Sequence, residues 1–229
     1  MNLMDYSSVG NVRGHFSNPD NRAAKLLAEW KNLSAKFERM VVDGKGKTET
    51  ARLAYAALLI METGIRVGNE ESAKGRECIN KHSPHCGKQV QTFGVTTLLN
   101  KHVKKSGTEL TLQFVGKKAV EQSLTTNNPI FLQFAPSGDS ELSWLEIDYP
   151  LLFRFLKRYV GRQFTPKDLR RAKVNQVFLS LLAGAKDPNK KAVRELIAQT
   201  AEIIGHTKGV CKRSYLSSVL IDDLFNPPG

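Results

Sequence analysis

The amino-acid sequence predicts a mainly α-helical protein with one small antiparallel β-sheet inserted between two helical parts. Two observations support this fold class. Apolar residues recur at three- and four-residue intervals between residues 21 and 63 and again from residue 151 onward, which is the period of helices. Between these parts, ELTLQFVG (109–116) alternates apolar and polar residues, as a half-buried strand does. Because no strong linker interrupts the chain, we expect one compact domain over residues 21–229.

The first helical part follows a polar leader, residues 1–20, which is rich in Asn, Ser and Gly. Residues 21–40 carry an apolar stripe at helical spacing and predict an amphipathic helix. Residues 51–63 are apolar nearly all round, which predicts a buried central helix. Gly64 is the residue expected at the C-terminal end of that helix.

The inserted part is predicted to contain an irregular loop and a hairpin. Residues 74–91 are rich in Cys, His and Lys and follow neither a helical nor a strand period. KKSGT (104–108) is a turn signal, so residues 100–103 and 109–115 are predicted to pair as antiparallel strands. Lys117 follows the second strand and is expected at the exposed tip of a hairpin.

The second helical part begins after residue 150. One helix start is well defined, since Thr165 suits the N-cap, Pro166 the first helical position and Asp168 the first turn. Tyr215 is predicted to open the last helix, YLSSVLIDDLF. Breaks between the helices are predicted at residues 161–166, 184–188 and 205–209.

The composition favours a protein that binds a polyanion in a reducing compartment. The 229 residues include 34 Lys and Arg against 22 Asp and Glu, a formal net charge of +12. A basic surface attracts nucleic acid through counterion release. An odd number of cysteines, three, argues against a disulfide framework. No apolar run reaches the length of about eighteen residues that a membrane helix needs, and the N-terminus lacks a signal-peptide core, so we expect a cytoplasmic protein.

Five side chains fit the requirements of phosphodiester cleavage by a protein nucleophile. That reaction needs an activated oxygen, cations around the non-bridging phosphate oxygens and an acid for the departing 5′ oxygen. Tyr215 offers a phenol oxygen nine residues after His206, in IIGHTKGVCKRSYL. Arg66, Lys117 and Arg170 offer cationic donors, and the planar guanidinium suits a phosphate because it donates two hydrogen bonds. Taken singly, each of these residues also fits an ordinary role as a surface ion pair, solvated lysine, helix cap or core tyrosine.

Five segments of the chain resemble, in order, the catalytic domain of type IB DNA topoisomerases, particularly the compact poxvirus-like and bacterial branch. They span residues 63–216, and the His-to-Tyr spacing followed by a Lys-Arg-x-Tyr ending makes the combination specific. The resemblance implies the catalytic-domain fold that tyrosine recombinases share with type IB topoisomerases. The segments are ETGIRVGNEES, FGVTTLLNKHV, LQFVGKKAV, KDLRRAKVNQVFL and AEIIGHTKGVCKRSYL.

The resemblance also implies an activity and a role for each residue. The enzyme would nick one strand of double-stranded DNA, let it rotate and reseal it as a monomer without ATP, metal or cofactor, in association with cellular or viral DNA. Tyr215 would form a 3′-phosphotyrosyl link, Arg66, Arg170 and His206 would bind the non-bridging oxygens, and Lys117 would be the general acid. The alternative general acid is Lys118, the next residue along the chain. Residues expected to contact DNA or support the phosphate site are Lys118, Lys167, Asn175, Lys212 and Arg213.

Two features depart from the family pattern. Full-length relatives carry an N-terminal β-rich clamp domain that the residues before Arg66 do not resemble, so we expect either a catalytic fragment or a naturally reduced enzyme. The loop at residues 74–91 looks longer than in the shortest relatives and contains Cys78, His82, His85 and Cys86. Zinc binding by this cluster is an alternative, but the adjacent His-Cys pair is awkward for one ion, and a plain or DNA-facing loop is favoured.

Two other functions remain open. A tyrosine recombinase shares the Arg-Lys-Arg-His-Tyr chemistry, and Lys167 occupies the place of its usual basic residue. The KRSY ending and the FVGK hairpin oppose that interpretation. A non-catalytic basic DNA-binding module is the third hypothesis, and it leaves the ordered arrangement of the five segments unexplained.

Overall fold

The computed structural model describes residues 18–185 and 189–225 of the chain. Within these ranges the helices are α1 (Pro19–Ala28), α2 (Trp30–Asp43), α3 (Glu49–Thr63), α4 (Glu70–Ala73), α5 (Pro129–Gln133), α6 (Tyr149–Tyr159), α7 (Pro166–Ala183), α8 (Lys190–Ile204), α9 (Lys208–Ser214) and α10 (Ser218–Phe225). The strands are β1 (Arg76–Glu77), β2 (Gln89–Val90), β3 (Val103–Ser106), β4 (Glu109–Gly116) and β5 (Val120–Thr126), and a 3₁₀ turn covers Asn100–His102. The predicted fold class, mainly α with a small antiparallel sheet, is confirmed.

Contacts divide the chain into two compact units. Of the residues described, those up to Trp30 together with those from Gln163 onward form one, called here the terminal unit, and Lys31–Arg162 form the other, the middle unit. Neither boundary has a linker composition, which is why the sequence does not reveal the division. Residues 1–17 of the predicted leader lie outside the described residues. The predicted organisation, a leader over 1–20 and one catalytic domain over 21–229, stays a prediction.

The middle unit is built around α3, which buries eleven of its fifteen residues. The side chain of Thr48 caps the start of the helix by accepting a hydrogen bond from Ala51 N, at 3.2 Å. Gly64 ends it with a φ of 69°, a left-handed conformation that glycine adopts without a steric penalty. The prediction of a buried helix ending at Gly64 is therefore confirmed.

The three-stranded sheet of the middle unit has the order β3–β4–β5 and is antiparallel throughout. β3 pairs with β4, so a hairpin forms here as predicted, but its first strand is Val103–Ser106 and not residues 100–103, because Asn100–His102 form the 3₁₀ turn. β5 adds a third strand that is not predicted from the sequence. On β4, Leu110, Leu112 and Phe114 are buried, as the alternating pattern predicts. The predicted irregular loop at 74–91 is also interrupted by the two-residue pairing of β1 with β2.

The terminal unit consists of α1 and the helices from α7 to α10, and α1 packs along α7. The predicted start of α7 is confirmed, because Thr165 and Asp168 form a capping box around Pro166. The core of the terminal unit is formed by apolar residues of α7 to α10 and of the turns between these helices. They are Val174, Phe178, Leu182, Val193, Ile197, Ala201, Ile204, Cys211, Tyr215, Leu216 and Ile221.

Two helix predictions need correction. The predicted amphipathic helix 21–40 is two helices, because the backbone leaves the helical conformation at Glu29, where φ is −96° and ψ is 6°. Tyr215 does not open the last helix: it is the C-cap of α9, and α10 begins at Ser218. The three predicted breaks between the C-terminal helices fall where α6, α7 and α8 end. None of the described helices is both long and apolar enough to cross a lipid bilayer.

Candidate active site

Tyr215 lies in the terminal unit, in a buried cluster with Arg170 and His206. Tyr215 is 5% exposed and Arg170 is 4% exposed. Arg170 Nη1 donates a hydrogen bond to Tyr215 Oη over 3.4 Å. The imidazole of His206 stacks on the phenol ring, with ring centroids 4.5 Å apart and planes at 24°. A guanidinium and an imidazole thus both contact the predicted nucleophile.

The end of α8 places His206 and helps to hold Arg170. Gly205 closes α8 in a left-handed conformation with a φ of 71°, and His206 N donates to Ala201 O over 2.7 Å. Arg170 Nη2 donates to Ile204 O over 3.4 Å, so one of the last carbonyls of α8 receives a cationic donor. The Gly-His turn that the sequence singles out therefore fixes both partners of the tyrosine.

Asn175 holds the backbone that follows the Tyr215 side chain. It is 1% exposed. Its Nδ2 donates to Tyr215 O and to Arg171 O, each over 2.8 Å, and its Oδ1 accepts from Ser217 N at 2.9 Å. The amide thereby bonds two buried backbone groups, Tyr215 O and Ser217 N, and one part-buried carbonyl of α7, Arg171 O. Asn175 therefore supports the backbone of residues 214–218, called here the tyrosine segment.

A second set of polar contacts joins α1 to the tyrosine segment, and it is not among the predictions from the sequence. Arg171 Nη1 pairs with Asp20 Oδ1 at 2.7 Å, and Arg171 Nη2 donates to Ser214 O at 2.9 Å. Asp20 Oδ2 accepts from both Ser218 N and Ser218 Oγ, at 2.9 and 3.0 Å. Asp20 falls within the segment predicted as a leader, so nothing in its local pattern indicates this role. The only signal in the sequence is the second arginine of LRRAK.

Cys211, one turn before Tyr215, is fully buried in the same core. Burial raises the pKa of its thiol to about 11, although the nearby Arg170 guanidinium opposes the shift. The thiol is therefore protonated at neutral pH and packs as a small apolar group.

The basic residues of the terminal unit that were predicted to contact DNA are exposed. Lys167 lies on the first turn of α7, and Lys212 and Arg213 lie on the last turn of α9. Lys212 Nζ lies 4.8 Å from the centre of the Phe225 ring. These three side chains are accessible to a polyanion from solvent.

Arg66 lies in the middle unit, just beyond α3, and its side chain is half-buried. Its backbone is fixed by the segment that contains FGVTT, since Val95 N donates to Arg66 O over 2.8 Å. A Cβ on Gly94 would lie 2.4 Å from Gly68 N and 2.6 Å from Arg66 O, so only glycine allows this approach. Two of the motifs in the sequence therefore form one packed backbone arrangement.

The same segment continues to the lysine turn. Phe93 N donates to Val115 O over 2.8 Å, near the end of β4. Lys117 and Lys118 follow in the turn 117–119, and both side chains are exposed. The predicted position of Lys117 at a hairpin tip is confirmed, and the hairpin is that of β4 and β5. Within the middle unit, Arg66 and Lys117 are carried by one hydrogen-bonded framework.

The Cys/His cluster does not gather into a metal-binding arrangement. Among residues 18–185 and 189–225, no group of three or more His, Cys, Asp or Glu side chains is placed to hold an ion. Cys78 is buried, Cys86 is exposed, and both are free thiols. His85 Nε2 instead lies 3.8 Å from Glu121 Oε1.

Comparison with known proteins identifies the family of the chain. A family model described as the eukaryotic DNA topoisomerase I catalytic core matches residues 21–219. The chain belongs to this family. The resemblance to the type IB topoisomerase catalytic domain that the five segments predict is thereby confirmed.

The relatives of this topoisomerase-family chain include viral enzymes. It is 29% identical over 223 residues to DNA topoisomerase I of Monkeypox virus and 28% identical over 224 residues to DNA topoisomerase 1B of Vaccinia virus (strain Copenhagen). Each match covers 91% of this chain and 66% of the relative, so the chain spans about two-thirds of their length. DNA topoisomerase 1B of Acanthamoeba polyphaga mimivirus is 25% identical over 194 residues, which cover 74% of this chain and 54% of that protein.

In this topoisomerase-family chain, three of the five predicted catalytic residues contact one another. Arg170, His206 and Tyr215 form the cluster of the terminal unit. Arg66 and Lys117 belong to the middle unit. The chemical role of each of the five stays a prediction.

Proposed function

We propose that this chain is the catalytic domain of a type IB DNA topoisomerase. It cleaves one strand of duplex DNA as a monomer, holds the 3′ end on a tyrosine, allows the other end to rotate and reseals the strand. Membership of the DNA topoisomerase I catalytic-core family supports this proposal. The strongly basic composition supports DNA as the substrate.

In the proposed reaction, Tyr215 Oη attacks the scissile phosphorus as the bond to the 5′ oxygen breaks. The phenol loses its proton to solvent water, and the 5′ oxygen gains one from Lys117, with Lys118 as the alternative donor. One phosphoester replaces another, so the reaction needs no ATP, and cationic side chains take the role that a metal ion would have at the phosphate. Arg66, Arg170 and His206 stabilise the charge on the non-bridging oxygens. Lys167, Lys212 and Arg213 bind the DNA backbone.

The contact between Arg170 and Tyr215 carries the proposal. A guanidinium 3.4 Å from the phenol oxygen is close enough to bind a phosphate that the oxygen attacks. A buried arginine is also held rigidly, because its other terminal nitrogen donates to Ile204 O. Preorganised cations of this kind account for much of the rate enhancement in phosphoryl transfer.

The proposal is tested by relaxation of supercoiled plasmid in EDTA without ATP. We expect a ladder of relaxed topoisomers. A tyrosine recombinase gives little relaxation without its paired sites, and a DNA-binding module gives only a mobility shift. Either of these outcomes contradicts the proposal.

The nucleophile is tested with Tyr215→Phe on a nicked duplex that traps the covalent complex. We expect the variant to lose all covalent capture and to retain DNA affinity, because only the attacking oxygen is removed. Tyr149→Phe is the matched control, since Tyr149 is an exposed tyrosine of α6 in the middle unit. Covalent capture by the Tyr215→Phe variant would assign the nucleophile elsewhere.

A further inference from the structure

The turn that carries Lys117 has an unusual backbone. Lys118 has a φ of 67° and Ala119 a φ of 54°, and both therefore adopt the left-handed conformation without being glycine. Side chains disfavour this region, so surrounding contacts must hold such residues there.

Two side chains of the loop 78–88 hold this turn. Asn80 Nδ2 donates to Lys118 O over 2.9 Å, and Ser83 Oγ donates to Ala119 O over 2.8 Å. The two accepting carbonyls belong to the two left-handed residues. Ser83 is buried, so its hydrogen bond is protected from water.

The loop 78–88 is itself fixed before it reaches the turn. Its ends are joined by Cys78 N donating to Lys88 O and Gly87 N donating to Cys78 O, over 2.9 and 2.8 Å. Asn80 Oδ1 accepts from His82 N, and Ser83 Oγ accepts from His85 N, each over 3.2 Å. The loop thus presents the amide and the hydroxyl in set orientations toward the turn.

We propose that Asn80 and Ser83 are positioning residues for the general acid. They hold the β4–β5 turn in the one conformation that directs the Lys117 ammonium to the departing 5′ oxygen. The loop at 74–91, whose cysteines and histidines suggest a metal site in the sequence, serves instead as a support for the lysine. This inference rests on the proposed function, since it assigns a structural cause to the acid step of that reaction.

The step that depends on this support is a single proton transfer. As the bond from phosphorus to Tyr215 Oη forms, the bond from phosphorus to the 5′ oxygen breaks, and the Lys117 ammonium gives its proton to that oxygen. The resulting amine takes a proton back from water. When sulfur replaces the bridging 5′ oxygen, the thiolate leaves without a proton, so the acid and its positioning become irrelevant.

The test compares two nicked substrates, one with a bridging 5′ oxygen and one with a bridging 5′ sulfur, in single-turnover cleavage. For Asn80→Ala and Ser83→Ala we expect cleavage of the oxygen substrate to slow by about tenfold or more, because a displacement of about 1 Å is enough for such losses. Cleavage of the sulfur substrate should stay within about twofold to threefold of wild type, since that leaving group needs no acid. The double variant should approach Lys117→Ala on both substrates. His82→Ala is the control, because His82 is an exposed residue of the same loop whose backbone makes the contact.

The outcomes separate the positioning role from the proposed function. If Lys117→Ala loses activity equally on both substrates, the acid assignment fails, and Lys118→Ala then tests the neighbouring lysine. If Lys117→Ala discriminates between the substrates but Asn80→Ala and Ser83→Ala do not, only the positioning role fails. Equal losses on both substrates in the loop variants also overturn it, since they indicate a general structural defect. Thermal unfolding of each variant identifies such a defect independently.

Discussion

At the scale of single residues, Asn175 shows how a buried amide supports a reactive side chain that it does not touch. Its side chain bonds the backbone groups of Arg171, Tyr215 and Ser217. In Asn175→Ala, Tyr215 O and Ser217 N lose this partner inside the core, whereas Arg171 O lies within α7 and keeps its place in the hydrogen bonding of the helix. We expect the free energy of unfolding to fall by about 2–4 kcal/mol, from the usual loss per unsatisfied buried group. Single-turnover cleavage should slow by about tenfold or more, because the tyrosine segment is released.

The matched control for this prediction is Asn189→Ala. Asn189 caps the start of α8 by accepting from Lys191 N and Ala192 N, in an exposed position of the same unit. Loss of an N-cap destabilises a protein by about 1 kcal/mol, and we expect no change in cleavage rate. Urea unfolding and the trapped-complex assay measure the two quantities separately. An Asn175→Ala variant that cleaves at the wild-type rate would show that the amide does not position the tyrosine.

A second residue, His102, gives the middle unit a defined response to acid. Burial, assisted by Lys101, lowers the pKa of His102 from 6.5 to about 4. Its ring packs against Phe93 with centroids 4.3 Å apart, and its Nδ1 accepts from Leu99 N at 3.1 Å, which requires that nitrogen to be unprotonated.

As pH falls through 6.5, the unfolded chain binds a proton at His102 that the folded chain does not bind. The free energy of unfolding should therefore decrease as the pH falls from 6.5 to about 4. Below about pH 4, protonation of His102 should cause no further decrease. We expect His102→Gln, which cannot titrate, to be less stable at pH 7 but to show a flatter dependence. Urea unfolding of both proteins across this range measures the difference. Parallel curves for the two proteins would contradict the assignment.

At the scale of elements, the sequence predicts those segments whose local pattern agrees with their packing. An unbroken apolar run and Gly64 define α3, and the capping box of Thr165 defines the start of α7. The division between α1 and α2 has no such signal, because Glu29 is neither glycine nor proline. α9 is only seven residues long and contains a glycine, so its existence depends on the burial of Cys211 in the core. Placing Tyr215 inside a helix follows from missing that short element.

In the candidate site, too, local sequence patterns predict some residues, and others are recognised only from the fold. The order and spacing of the motifs predict which residue types belong to the chemistry, and the structure groups Arg170, His206 and Tyr215. Asn175 is the one support that the resemblance indicates, and the other supports are not visible in the sequence. Asn80 and Ser83 each act through one hydrogen bond, and Asp20 through an ion pair and two hydrogen bonds, to residues distant along the chain. Such partners follow from the fold alone. Short polar side chains in loops carry no periodic pattern that would indicate a partner.

At the scale of the whole molecule, the basic residues behind the net charge of +12 differ in whether an acidic side chain pairs with them. Some lysines of the middle unit are already paired: Lys74 with Glu71, Lys101 with Glu141 and Lys104 with Asp139. In contrast, α6 and the turn after it present basic side chains to solvent along one face of the helix. These are Arg154, Lys157, Arg158 and Arg162.

If the proposed DNA substrate is correct, the position of the cations matters more than their number. Each phosphate contact contributes about −0.9 to the slope of log affinity against log salt. We expect the triple change Arg154→Gln, Lys157→Gln and Arg158→Gln to weaken DNA binding and to make this slope less steep by about one to three. The matched change Lys74→Gln, Lys101→Gln and Lys104→Gln removes the same formal charge from paired side chains and should alter the slope much less. Fluorescence-anisotropy titrations of a labelled duplex at several salt concentrations measure both slopes. Equal shifts in the two triple variants would mean that total charge, rather than the exposed face of α6, sets the affinity.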